Sequence, residues 1–237
     1  MKVALLGYGK MGHIIEAIAP AQGIEIIERL DIDKKLQDDE ATRLALQEVN
    51  VLIDFSVPDA VLENIKISAG LKKNIVIGTT GWYDHLDTAN KIVLENDIGL
   101  VHASNFSLGI NLFYKLVQRA GELFHIFDNY DCFMEESHHK FKKDAPSGTA
   151  LNLMKILEKI YGKDKIPITS VRAGYIPGTH AVGFDSNVDS ISLKHTARSR
   201  EGFAQGAIFA AKWIQNRKGI FAFSDILDSV LKELKFK

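Results

Sequence analysis

The stretch Glu136-Ser137-His138-His139-Lys140-Phe141-Lys142-Lys143-Asp144-Ala145-Pro146-Ser147-Gly148-Thr149-Ala150 places two imidazoles, three ammonium groups and an expected helix start within fifteen residues. Such a set can hold an anion and move a proton. His138 and His139 follow a segment that reads as extended, where consecutive side chains point to opposite faces, so the two imidazoles are expected to do different jobs. With no nearby cysteine and no helical H-x-x-x-H spacing, no metal is expected here. In Pro146-Ser147-Gly148-Thr149-Ala150, hydroxyls and a glycine at a helix start expose backbone N–H groups that suit a carboxylate. The plain alternative is a solvated basic loop with one structural histidine. Basic side chains beside an anion seat favour the functional reading.

A second chemical signal stands near the amino terminus. Gly7-Tyr8-Gly9-Lys10-Met11-Gly12 follows the apolar run Val3-Ala4-Leu5-Leu6 and precedes apolar residues at helical spacing from Met11 to Ile18. In that context Gly7 makes a tight turn, Gly9 lets the backbone approach a pyrophosphate, and Gly12 permits close helix-on-strand packing. The alternative is a tight strand–helix turn with no ligand. Asp31 lies about 20 residues beyond the motif, where a ribose-binding acid is expected. Glu28-Arg29 is a competing placement for the ribose-facing pair. Asp31 would accept both ribose hydroxyls and repel a 2′-phosphate, whereas Lys10, Lys34 or Lys35 would attract one. NADH is therefore the favoured cofactor, with NADPH accommodated. A dinucleotide site together with a proton-donating anion site points to a reductase.

The elements that must position these residues alternate in the first hundred positions. Strands are expected at Val3–Leu6, Ile24–Ile27, Val51–Ser56, Asn74–Gly78 and Ile98–His102, with helices at Met11–Ile18, Pro58–Lys72 and Asp84–Asn96. Alternation of this kind predicts an α/β fold, a parallel sheet with right-handed crossovers. From Leu108 the character becomes α+β: a helix over Ile110–Phe124, a strand over Tyr130–Glu136, a helix over Ser147–Tyr161, then extended segments between Ile166 and His195. Phe203–Asn216 and Ser224–Leu234 read as closing helices, with Ser224 as N-cap of the last. The chain is expected to return there to its first domain.

Composition narrows the function classes. A formal net charge of −1 argues against a dedicated nucleic-acid binder, whose affinity rests on a basic surface. The first apolar run is far shorter than the ~7–15 residues of a signal-peptide core. No run approaches the ~18 apolar residues of a membrane span. The single cysteine, Cys132, has no internal partner and is expected to be a small buried hydrophobe, so a reducing cytoplasm is the simplest home.

The segment ESHHKFKKDAPSGTA resembles the E-x-H-H-x-x-K-x-D-x-P-S-G-T signature of the 4-hydroxy-tetrahydrodipicolinate (dihydrodipicolinate) reductase family of the diaminopimelate route to lysine. GYGKMG, DFS at Asp54–Ser56, IGTTGW at Ile77–Trp82, ASNFSLGIN at Ala103–Asn111 and RSREGFAQGA at Arg198–Ala207 occur in that family's order. The resemblance implies a Rossmann-like dinucleotide-binding domain from residues 1–106 and 203–237, enclosing an α+β substrate-binding and tetramerisation domain over 107–202. It implies that His138 and Lys142 are the acid–base pair, and that His139, Ser147, Gly148 and Thr149 hold the substrate carboxylates. Gly78, Thr79 and Thr80, with Ala103, Ser104, Asn105 and Phe106, are implied to line the nicotinamide end of the cofactor. A small dicarboxylate substrate and a homotetramer follow from the same resemblance. Phe141 departs from it, occupying a slot that is often histidine or another polar residue, and the segment between the second and third strands is short.

Two other classes remain open at this point. A related amino-acid dehydrogenase would keep GYGKMG without needing HHKFKK followed by PSGT, and a nucleotide-sensing module would need the glycines but no proton donor. Arg172, His180, Arg198 and Arg200 are left outside the expected site, and Trp82 is expected to be a packing side chain.

Overall fold

The computed structural model describes residues 1–234; residues 235–237, the end of the expected dinucleotide domain, lie outside the described residues. In chain order the elements are β1 (Lys2–Leu6), α1 (Lys10–Ile18), β2 (Glu25–Leu30), α2 (Glu40–Ala45), β3 (Val51–Asp54), α3 (Pro58–Gly70), β4 (Asn74–Ile77), α4 (Leu86–Asn96) and β5 (Gly99–His102). They continue with α5 (Leu108–Phe124), β6 (Asp131–His138), α6 (Gly148–Tyr161), β7 (Ile168–Arg172), β8 (Thr179–Asp185), β9 (Ser190–Thr196), α7 (Glu201–Ile214), β10 (Gly219–Ala222) and α8 (Phe223–Leu234). The chain forms two compact units, Met1–Ser107 with the segment from Arg200 onward, and Leu108–Ser199.

The first unit is built on a six-stranded sheet in the order β10-β5-β4-β3-β1-β2, parallel at every pairing. Its central strands VLID and NIVI are buried at every position, as strands covered on both faces must be. The chain steps from β1 outward to β2, then crosses to β3 on the other side of β1, so the strand order reverses between β1 and β3. Ligands of open parallel sheets bind outside the carboxyl ends of the strands at such a reversal. Gly7 stands there with φ +84°, and a Cβ on it would lie 2.5 Å from the Phe55 carbonyl oxygen, so only glycine fits.

The second unit has a four-stranded sheet, β7-β6-β8-β9, in which β6 pairs parallel with β7 and antiparallel with β8. Burial alternates strictly along β6, as a half-covered strand requires. Cys132 and Met134 pack with Val182 and Phe184 of β8 under Phe113 and Val117 of α5 and Leu153 and Leu157 of α6. Burial pushes the Cys132 thiol up to about 12, so it is a packing group.

Three local features differ from the sequence reading. β6 runs two residues further than expected and carries His138 within the strand. α2 and β10 were not expected: α2 is a six-residue helix capped by Asp39, which accepts from Thr42 N, and β10 is a four-residue edge strand on β5. Because β10 leads directly into α8, no residue is left between them for the expected Ser224 cap. Ser224 lies in the first turn, and Asp225 accepts from Ala222 N at 3.3 Å instead.

Gly206 of α7 is the tightest helical glycine, since a Cβ there would fall 1.7 Å from the Phe106 carbonyl oxygen. Gly206→Ala is predicted to destabilise the protein by about 1–3 kcal/mol in urea unfolding. Gly202→Ala on the same helix, where a Cβ meets only Ser107 Oγ at 3.6 Å, is predicted to leave stability equal or raised by up to about 1 kcal/mol.

Candidate active site

All the expected nucleotide-facing segments leave the carboxyl ends of strands in the first unit: Gly7–Gly12 after β1, Asp31 after β2, Gly78–Thr80 after β4 and Ala103–Phe106 after β5. The glycine turn has the geometry that a phosphate needs. A Cβ on Gly9 would meet nothing within 4 Å, whereas one on Gly12 would lie 2.7 Å from the Gly7 carbonyl oxygen. Gly9 is also the N-cap of α1, with no side chain bonded to the helix start, which leaves the first-turn amides open to an anion. Gly9, Lys10, His13, Ile14 and Arg200 line an open hollow of about 680 Å³. Arg200, left out of the expected site, therefore stands beside Gly9 and Lys10.

The competing placements at the end of β2 separate by their partners. Arg29 donates through Nε to Glu16 of α1 at 2.7 Å, and the Tyr8 hydroxyl donates to the same carboxylate. Glu28 is bonded to Lys34 at 2.6 Å. Asp31 follows the last β2 residue, Leu30, whose carbonyl accepts Gly7 N at 2.8 Å, so the exposed Asp31 lies next to the glycine turn.

Beneath the other loops lies Asp54, fully buried at the end of β3. It accepts from Ser56 N at 2.8 Å, Asn64 Nδ2 at 2.9 Å and Thr79 Oγ1 at 3.2 Å, and burial raises its proton affinity. The Thr79 hydroxyl is thus used in tying two loops together, while Thr80 is exposed. Asn105 Oδ1 accepts from Ser107 N at 2.8 Å. The Phe106 ring is buried against Phe223, so this segment offers a ligand its backbone rather than that ring. Trp82 is buried and stacked on Tyr83, a packing role as expected.

In the second unit the apolar ladder of β6 and β8 turns polar at one end. Cys132 faces Phe184, Met134 faces Val182, and Glu136 faces His180; on the other side His138 is in register with Arg172 of β7. Glu136, 1% exposed, accepts from His138 Nδ1 through Oε2 and from Arg172 Nη2 at 2.6 Å through Oε1. Burial works to raise the proton affinity of Glu136, but hydrogen bonds from Arg172, Ser170 and His138 outweigh it and hold the carboxyl at about 2. His138 is lowered by its own burial, against the opposing pull of Glu136, and so is neutral near pH 7.

The helix start lies alongside. Ser147 caps α6, accepting from Ala150 N at 3.2 Å, and its Oγ is 3.0 Å from His180 Nε2. His180 packs edge-on to His138 with ring centroids 5.1 Å apart. A Cβ on Gly148 would meet nothing within 4 Å, so this residue borders open space at the helix start. Lys142 Nζ is bonded to Asp144 Oδ1 at 2.8 Å, and its charge is felt at His138. His139 follows β6 half-buried, with its Nδ1 unpartnered. Glu136, His138 and His180 offer ligand atoms within 4.8 Å of one another. Both Glu136 oxygens and His180 Nε2 are already hydrogen-bonded, and Arg172 and Lys142 bring positive charge, so the cluster works as a hydrogen-bond network.

Sequence reasoning placed His138, Ser147, Gly148 and Lys142 in this region but passed over Arg172 and His180. Their signal was the two-residue alternation across β8 and β7, which only the strand register converts into contact.

The first unit has the Rossmann-like parallel sheet of dinucleotide-dependent oxidoreductases, and the second carries a cluster of imidazole, carboxylate, guanidinium and ammonium groups beside a helix start. The family model described as "Dihydrodipicolinate reductase, N-terminus" matches residues 1–106, and "Dihydrodipicolinate reductase, C-terminus" matches residues 109–227. A 4-hydroxy-tetrahydrodipicolinate reductase of Christiangramia forsetii is 41% identical, over 98% of this chain and 100% of the relative. One of Methanoregula boonei is 34% identical, over 95% of this chain and 97% of the relative. Among solved structures, a dipicolinate-bound dihydrodipicolinate reductase from Paenisporosarcina sp. TG-14 shares the fold with TM-score 0.82 and 23% identity, covering 95% of this chain and 99% of that one. The chain belongs to the dihydrodipicolinate reductase family and is an NAD(P)H-dependent oxidoreductase. Among the described residues, no helix is long and apolar enough to cross a membrane.

The His180 imidazole makes the site acid-sensitive. Burial first, then the His138 charge, lower it from an ordinary 6.5 to about 4. The unfolded chain therefore binds a proton there that the folded one refuses, so stability is full above pH 6.5 and falls as pH drops from 6.5 to about 4, by up to about 3 kcal/mol. In thermal unfolding across that window His180→Gln is predicted to flatten the slope; an unaltered slope would show that His180 is not the group responsible.

Proposed function

We propose that this protein reduces dihydrodipicolinate, formed from 4-hydroxy-tetrahydrodipicolinate, to tetrahydrodipicolinate in diaminopimelate and lysine biosynthesis. The observation that carries the reading is the anion seat at the α6 start, headed by Gly148 and Thr149 and bordered by His138, His180 and Lys142. The substrate is a cyclic unsaturated imine with two carboxylates. When bound, NAD(P)H supplies a hydride to the β carbon of that system.

The chain's own groups do the rest. The amides of Gly148 and Thr149, the Ser147 hydroxyl and the His139 ring hold the carboxylates, and the helix start favours their charge. His138, neutral and held through Nδ1 by Glu136, presents Nε2 toward the ligand. Lys142, the ammonium of the pair, delivers a proton to the enamine carbon and is steadied by Asp144. The residues fit a dinucleotide: Gly9, the α1 amides, Lys10 and Arg200 hold the phosphates, Asp31 the ribose, and the backbones of Gly78–Thr80 and Ala103–Phe106 the nicotinamide end. Asp31, beside the turn with no paired cation among the described residues, favours NADH over NADPH. The reading extends to a cytoplasmic homotetramer, supported by the family resemblance and by the one buried thiol.

Lys142→Ala is predicted to lower kcat by about 10²–10⁴-fold in NADH oxidation with freshly made dihydrodipicolinate synthase product, with the Kd for NADH nearly unchanged. Near-normal turnover would remove the proton-donor role, and NADH binding without oxidation by the wild type would indicate a sensor. Asp31→Ala is predicted to reduce the ratio of kcat/KM for NADH over NADPH by about tenfold or more, and an unchanged ratio would return the choice to Glu28-Arg29.

A further inference from the structure

Among the described residues, Arg172 is the one arginine in the second unit that donates to three protein acceptors. Nη2 donates to Glu136 Oε1 at 2.6 Å and to the Asp144 carbonyl at 2.7 Å, and Nη1 donates to the Val171 carbonyl at 2.8 Å. The two Nη2 contacts each lead to a group assigned to the reaction. Glu136 passes to His138 Nδ1 through its other oxygen, and Asp144 accepts Lys142 Nζ through its carboxylate while its carbonyl is held by Arg172. One guanidinium therefore fixes both the strand that carries His138 and the loop that carries Lys142. A lysine has neither the planar fork nor enough fixed donors to do the same.

An arginine near a dicarboxylate seat would ordinarily be assigned to a substrate carboxylate. Here both N–H groups of Nη2 and one of Nη1 are taken by the protein, and Nε is buried with no partner, away from solvent. Gly178 adds to the picture: a Cβ there would lie 3.1 Å from His138 Nε2, so the bare glycine leaves room at the nitrogen that Glu136 does not use. We propose that Arg172 is a positioning residue which, through an ionised Glu136, locks His138 as the Nδ1–H tautomer with its Nε2 lone pair facing the ligand, and at the same time anchors the Lys142 loop. Glu136 is the second member of the device, and neither residue touches the substrate.

The inference rests on the reductase reading for its consequence in turnover, but the tautomer is measurable without turnover. In the full-length protein labelled with ¹⁵N-histidine, the His138 signals, assigned by their loss in His138→Gln, should show a protonated Nδ1 and a bare Nε2 at pH 7.5. Arg172→Met should mix the tautomers and lower kcat about 10²-fold, while the Kd for pyridine-2,6-dicarboxylate stays within about threefold. Arg172→Lys should recover little of the lost rate. If Arg172→Met instead weakens pyridine-2,6-dicarboxylate binding as much as it lowers kcat/KM, Arg172 is a substrate ligand and the proposal is overturned. A bare Nδ1 on His138 in the wild type overturns it with no variant at all, which covers the case in which Arg172→Met does not fold. If the wild type fails to oxidise NADH with the synthase product while the tautomer result stands, the reductase reading has failed and the positioning device has not.

Discussion

Glu136 carries a full negative charge into the covered face of a β-sheet, and the proton chemistry of the second unit is arranged around keeping it there. A buried carboxylate without partners would take up a proton or drive the strand apart. Arg172 on one oxygen and His138 on the other remove both options. The pairing decides which histidine nitrogen is free, and the same Arg172 holds the lysine loop beyond Lys142 by its bond to the Asp144 carbonyl. Such a pair adds little net stability, since desolvation offsets most of the attraction; what it contributes is a single arrangement of the side chains around the helix start.

The first unit solves a different problem by similar means. Four loops must end at one edge of one sheet, and the parallel strands bring them there. Asp54 sits under the crossing point and ties the loops after β3 and β4 through Ser56, Asn64 and Thr79, while glycines at positions 7, 12 and 78 remove the side chains that would separate them. Gly9 differs in kind, because its missing side chain opens space outward. The glycines of the turn motif thus divide into two that allow close packing and one that leaves space for a ligand.

Much of this was legible in the residues. The apolar runs VALL, VLID and NIVI, each closed by a turn, marked the parallel strands, and Ser147-Gly148-Thr149 marked the α6 start, where the structure makes Ser147 the cap. Short elements were missed for a common reason. GIFA of β10 and EATRLA of α2 are too brief for periodicity, and their existence depends on neighbours distant in sequence, β5 for the one and the Asp39 cap for the other. The same applies within the site. His138 and Lys142 belong to one segment and could be read together, whereas Arg172 and His180, far from them in sequence, meet them only through strand pairing, in register His138↔Arg172 and Glu136↔His180. The resemblance puts Thr79 at the nicotinamide end, and the bond from its hydroxyl to a buried aspartate could not be foreseen from GTTG alone.

The central claim is that one turnover joins a hydride from the nucleotide to a proton from the protein on a single dicarboxylate ring. Isotope tracing tests it directly: the wild-type enzyme is run with the synthase product and NADH deuterated at the transferring position, and in parallel with ordinary NADH in D₂O. Mass and NMR analysis of tetrahydrodipicolinate should find the cofactor's deuterium on the β carbon and the solvent's deuterium on its neighbour. Product lacking the cofactor's label, or cofactor that binds and is never consumed, would contradict the account.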